Sequence, residues 1–213
     1  VKYIIMCGGT YGDSPKQLIE VLGERIIDRT IRLLRANGIP AKDIWISSND
    51  ERFDGLEAKR VVHQNDFVYG QKESHCWLQA FYPMKEPVTY VFGDVYFSEK
   101  AIETIVETKT DSIMFFASAP PFPPVYMKRW AEPMAFKVMD PELFFKKVEE
   151  CHRYDLEGRF HREAVSWELW QVIKGTPLNR IMFNYTAIRD YSCDVDDKKE
   201  ARVLEEILRR MNT

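Results

Sequence analysis

The sequence carries almost no charge imbalance. Thirty Lys and Arg stand against 33 Asp and Glu, a formal net charge of −3. A general nucleic-acid binder needs a basic excess to neutralise phosphates, so no nucleic-acid partner is expected. A local basic pocket for a small anion remains open. No apolar run approaches the roughly 20 residues of a membrane helix, so no membrane partner is expected either. The opening Val1-Lys2-Tyr3-Ile4-Ile5 reads as a strand, not as a secretory leader. There are only four cysteines, Cys7, Cys76, Cys151 and Cys193, and no Cys-x-x-Cys pair. That argues against a structural zinc site and fits reduced thiols in a cytoplasmic protein. The four histidines, His63, His75, His152 and His161, have no metal-ligand spacing. The P-loop pattern Gly-x4-Gly-Lys-Ser/Thr is absent, as is Gly-x-Gly-x-x-Gly.

What is present is an alternation of apolar runs and helical periods. The 213 residues are 45% hydrophobic, enough for a sizeable core without staples, and a single domain over 1–213 is expected. Residues 2–7, 43–48, 60–63, 87–92, 112–118 and 133–139 read as strands, with more strand material in 181–195. Helices are predicted over 24–37, 73–82, 98–108 from an N-cap at Ser98, 141–154 with Pro141 at its start, 160–173 and 197–211. Four prolines make 119–125 irregular. Strands alternating with helices imply an α/β domain with a largely parallel sheet. Ligands of such sheets bind beyond the carboxyl ends of the strands.

Three stretches follow strands and carry chemistry. After the first strand, Gly8, Gly9 and Gly12 let backbone amides approach an anion, and Lys16 adds a mobile positive charge. A plain tight turn is the alternative reading. After the strand 87–92 comes Gly93-Asp94, whose carboxylate suits a hard cation such as Mg²⁺ or, alternatively, a turn. Before the last helix, alternation places Asp194 and Asp196 on one strand face, where they repel unless solvated or bridged by a cation. Asp197 suits the N-cap.

In order, Gly8, Gly9, Pro15, Lys16, Leu18, Gly23, Ile27, Asp28, Arg29, Thr30 and Ile31 resemble the opening of the nucleotidyltransferases that make activated sugars and alcohols. The resemblance implies a three-layer α/β/α sandwich with a mixed, mostly parallel sheet, the nucleotide-diphospho-sugar transferase-like fold. It implies a reaction in which an NTP, CTP favoured, and a phosphorylated sugar or alcohol give a nucleotide-linked product and pyrophosphate. Lys16, Asp94 and Asp196 become the catalytic residues. Asp94 and Asp196, with Asp194 beside them, become ligands of a Mg²⁺ cofactor. Gly8, Gly9, Thr10, Lys16, Ser74 and Gly93 become nucleotide contacts.

Ser74 to Ala80 resemble the family's helix near the base. Glu132, in the stretch from Trp130 to Phe136, resembles the acidic residue that meets the second substrate. The family's loop arginine is missing, and Tyr11 stands in the altered glycine pattern. Lys16 is the first candidate to replace its charge, with Arg25 or Arg29 after it. Lys137, a charge inside an apolar strand, is a further phosphate candidate, and Lys128 and Arg129 could meet an acceptor phosphate. The tryptophans Trp167 and Trp170 read as packing or as base-stacking residues. A homodimer stays open. The alternatives are a glycosyltransferase of the same fold, for which Asp-x-Asp at the metal strand is missing, and a nucleotide-binding module without turnover.

Overall fold

The computed structural model describes residues 1–62, 78, 80–119, 131–180, 182 and 184–211. Most of the predicted helix over 73–82, and most of the proline-rich segment, lie outside the described residues.

The chain runs β1 (Lys2–Met6), β2 (Thr10–Tyr11), β3 (Ser14–Pro15), β4 (Glu20–Val21), β5 (Glu24–Arg25), α1 (Ile26–Ala36), β6 (Ile44–Ser47) and β7 (Lys59–Val61). It continues with β8 (Val88–Phe92), β9 (Val95–Tyr96), α2 (Glu99–Glu107), β10 (Ile113–Ser118), β11 (Pro133–Val138) and α3 (Pro141–Leu156). Helix α4 (Ser166–Lys174), β12 (Thr186–Ile188), β13 (Cys193–Asp194) and α5 (Lys198–Met211) complete it. Seven strands form the main sheet in the order β12-β10-β11-β8-β1-β6-β7. Strand β11 pairs antiparallel with both β8 and β10. The other pairs in this sheet, such as β1 with β6 and β8, are parallel. This is the mixed, mostly parallel sheet that the sequence predicts.

All five residues of β8 are buried, and Ile4 and Ile5 of β1 are fully so. Continuous burial on both faces requires cover on both sides, which is why these strands read as unbroken apolar runs. Helix α1 packs against α2, and α3 against α4. Helix α1 buries Ile27, Thr30, Ile31 and Leu34 and stops where Gly38 takes a φ of +82°. At α2 the Ser98 hydroxyl accepts from the Ala101 amide at 2.9 Å and donates to Asp190 at 2.6 Å. Asp190 is thus an anchor for the C-terminal segment.

One prediction is corrected in detail. The helix over 160–173 begins only at Ser166. The Asp155 carboxylate accepts the Ala164 amide at 3.1 Å, and Glu168 accepts that of Val165 at 3.1 Å. These bonds tie down the segment before the helix, and Val165 itself is extended. The stretch 181–195 holds two short strands, β12 and β13. The tryptophans are packing residues. Trp167 meets Phe115 edge-on at 5.0 Å, and Trp170 donates its indole N–H to Asn184 at 2.8 Å. A second, smaller core of Ile19, Val21, Ile26, Tyr96, Cys193, Val195, Leu204 and Leu208 seats α5 against the β4–β5 hairpin.

Candidate active site

Strands β1, β6 and β8 run parallel, so their carboxyl ends bring Cys7-Gly8, Ser48 and Gly93 to one edge of the sheet. Past β1 the chain forms a small hairpin. Strand β2 pairs with β3, with Gly12 at a φ of +57° near its tip. Gly8 and Thr10 are exposed, and Gly9 is half-buried. The Gly9 carbonyl accepts the Lys16 amide at 3.1 Å, which closes the hairpin and delivers Lys16 to its base.

Gly93 is dictated by space. Its amide donates to the Met6 carbonyl at 3.0 Å. A Cβ there would lie 2.5 Å from that oxygen and 2.8 Å from the Cys7 sulfur. This close approach sets Asp94 beside the end of β1. The next strand, β9, pairs antiparallel with β13, so that Asp194 lies across from Val95. The Val195 amide donates to the Asp94 carbonyl at 2.8 Å. A segment about 100 residues away in sequence is thereby laid against Asp94.

The side chains converge accordingly. The Lys16 ammonium donates to Asp196 at 2.6 Å. Burial opposes its charge, but the bond to Asp196 and the charges of Asp94, Asp196 and Asp194 outweigh that and hold it above its ordinary range. Burial pushes the Asp94 carboxyl up to about 6; Lys16 opposes this, while Asp194 and Asp196 add to it. Carboxylate oxygens of Asp194, Asp196 and Glu200 lie within 4.8 Å of one another and could share one cation. Glu200 also accepts the Asp196 amide at 2.8 Å. Asp197 caps α5 by accepting the amides of Lys199 and Glu200 at 2.7 and 2.8 Å. Cys7 is buried at this edge. Burial, then the Asp94 charge, push its thiol well up, so it is a neutral packing group.

No protein-family model matches the chain, and no curated protein matches it in sequence. Solved structures do match it, end to end. One is 4-diphosphocytidyl-2C-methyl-D-erythritol synthase from Anaerococcus prevotii, with a TM-score of 0.57 and 14% identity over 98% of both chains. A second, from Bacillus anthracis, is assigned as a glucose-1-phosphate thymidylyltransferase. It has a TM-score of 0.60 and 15% identity, over 100% of this chain and 96% of that one. A third is the CTP:phosphocholine cytidylyltransferase of Streptococcus pneumoniae, at 0.51 and 17% over 97% and 98%. The chain has the nucleotide-diphospho-sugar transferase-like fold.

On this fold the remaining sequence candidates separate. Glu132 precedes β11, and the register that pairs Ala135 with Val91 puts it at the same sheet edge as Gly93. It is buried, and its amide donates to the Ser118 hydroxyl at 2.7 Å. Lys137 is at the other edge, because β11 runs antiparallel and Lys137 pairs with Thr89 at the start of β8. Its ammonium donates to the carbonyls of Val106 and Thr108, at 2.9 and 2.6 Å, and caps the end of α2. It does not join the site. Nor do the two candidate arginines. Arg25 is held by Asp28, and Arg29 donates to the Phe97 carbonyl at 2.8 Å and lies over the Tyr96 ring. Ser74, His75, Lys128 and Arg129 lie outside the described residues.

Two residues escaped the sequence reading. Glu200 reaches the aspartates from the first turn of α5, and its only sequence signal is a spacing of four from Asp196. Arg52, in a short 3-10 turn after β6, donates to the Asp13 carbonyl of the glycine hairpin at 2.8 Å. No local motif announces it.

Proposed function

We propose that the protein is a nucleotidyltransferase. It joins an NTP, CTP favoured, to a phosphorylated sugar or alcohol and releases pyrophosphate. The observation that carries this reading is Lys16 set among Asp94, Asp194 and Asp196 beside the glycine hairpin, at the carboxyl edge of the sheet. Among the similar structures, one is named a CTP:phosphocholine cytidylyltransferase and another a 4-diphosphocytidyl-2C-methyl-D-erythritol synthase, which supports CTP.

Asp194, Asp196 and Glu200 bring carboxylate oxygens close enough to share one cation. Asp94 adds a further carboxylate whose charge they feel, and such hard oxygen donors fit Mg²⁺. Asp94 and Asp196 would hold the ion, with Asp194 and Glu200 beside them. Bound there, the ion supplies neutralisation of phosphate charge. The amides of Gly8, Gly9 and Thr10 take the triphosphate. Ser74 and Gly93 serve the nucleotide, and Glu132 serves the second substrate. Lys16 turns from Asp196 toward the phosphates and stabilises the charge that builds on the departing pyrophosphate. An oxygen of the acceptor phosphate bonds to the α-phosphorus as the bond from that phosphorus to the bridging oxygen breaks. The acceptor is already ionised near neutral pH, so no side chain has to remove a proton. Catalysis then rests on alignment and charge.

The test is to incubate the purified protein with each NTP, Mg²⁺ and a panel of phosphorylated sugars and alcohols, and to measure pyrophosphate. Release that needs both an NTP and one acceptor supports the reading. Absence of release across the panel counts against it.

A further inference from the structure

The glycine hairpin is a poor structure by itself. Strands β2 and β3 are two residues each, and Thr10, Tyr11, Gly12 and Asp13 are all exposed. A two-stranded hairpin without a buried face is marginal in water. Its base is fixed by the Gly9–Lys16 bond and the buried Pro15. Its tip is gripped from outside by Arg52. One guanidinium nitrogen donates to the Asp13 carbonyl at 2.8 Å, and another reaches the Ser14 hydroxyl at 3.4 Å.

Arg52 is itself aimed. Asp50 accepts from its Nε at 2.9 Å, from a terminal nitrogen at 2.6 Å and from its backbone amide at 2.9 Å. The Asp50 amide donates to the Ser48 hydroxyl at 3.1 Å, and the Ser48 amide donates to the Val61 carbonyl at 3.0 Å. A continuous set of bonds therefore runs from the sheet through Ser48, Asp50 and Arg52 to the hairpin tip. Only a planar fork can serve Asp50 on one side and a carbonyl on the other; a lysine is a single point donor.

We infer that Arg52 is the positioning residue of the glycine hairpin, holding its tip in the shape that receives the triphosphate. The inference rests on the nucleotidyltransferase reading. Arg52 acts through the hairpin and leaves the Lys16 and Asp94 cluster untouched. Its loss makes the nucleotide order the hairpin at the moment of binding, which costs affinity. An exposed ion pair adds little to global stability, so the fold should not register the change.

The experiment compares wild type, Arg52→Gln and Arg52→Lys by calorimetric binding of CTP and by steady-state kinetics. Amide hydrogen exchange over residues 9–15, without nucleotide, is read beside them. Both variants should bind CTP about five- to twentyfold more weakly and raise KM alike. The kcat should stay within about twofold, and exchange in the hairpin should be faster. Full affinity in Arg52→Lys, a fall in kcat with KM unchanged, or unchanged exchange would each overturn the inference. If wild type binds no NTP, the nucleotidyltransferase reading fails, and the exchange comparison alone decides whether Arg52 holds the hairpin.

Discussion

Lys16→Ala removes an ammonium that donates to Asp196 and faces Asp94 and Asp194. At the observed 2.6 Å separation from Asp196, Coulomb's law gives roughly 1.6 kcal/mol in water and about 6 at an effective dielectric of about 20. The side chains are 22% and 40% exposed, so solvent screening favours the lower figure, about 1–2 kcal/mol. Metal-free Lys16→Ala should therefore melt about 3–6 °C below wild type. Added Mg²⁺ should raise its melting point more than that of wild type, because carboxylates that have lost the Lys16 charge gain more from an external cation. Turnover should fall roughly 10²–10³-fold, about 3–4 kcal/mol of transition-state stabilisation. The CTP dissociation constant should rise less than about tenfold, since the hairpin amides remain. Lys16→Arg should rescue poorly, its planar fork adapting less well to a moving charge. The assays are calorimetric melting with and without Mg²⁺, equilibrium CTP binding and single-turnover kinetics. Normal melting together with a normal single-turnover rate would refute the reasoning.

Three further outcomes follow from named contacts. Gly93→Ala forces a methyl to within 2.5 Å of the Met6 carbonyl and should cost about 3 kcal/mol; an unchanged urea midpoint would contradict the packing described. Glu200→Gln keeps an acceptor for the Asp196 amide but loses a charge. Its metal affinity, read by Mn²⁺ titration, should fall about tenfold with little change in melting, and equal affinity would remove Glu200 from the site. Lys137→Met should lower stability by about 1 kcal/mol, while CTP binding and kcat stay within about twofold. A large loss of turnover would return Lys137 to the substrate site.

The strands beneath the site were legible because burial on both faces leaves unbroken apolar runs, as in residues 88–92. The Ser98 cap and the glycine stop after α1 were legible because each answers a local backbone need. Lys137 was misread because no local signal reveals that β11 runs against its neighbours. Reversal carries the end of that strand, and Lys137 with it, to the far edge, while Glu132 at its start comes to the near one. Arg52 was invisible for a related reason. Its contact with Asp13 exists only because β6 lies beside β1. Glu200 and the late start of α4 depend on carboxylates reaching backbone amides three or four residues away, a choice that composition does not record.

The most direct test of the central claim is the fate of a labelled α-phosphate. The protein is incubated with Mg²⁺, CTP labelled at that phosphorus and the acceptor that gives most pyrophosphate, and the products are separated. The account predicts that the label moves into a nucleotide-linked acceptor in equal amount to the pyrophosphate formed, and that Asp94→Asn and Asp196→Asn each slow this at least 100-fold. Label that stays with the unreacted nucleotide, while the protein instead transfers a sugar from a nucleotide-sugar donor, would contradict it.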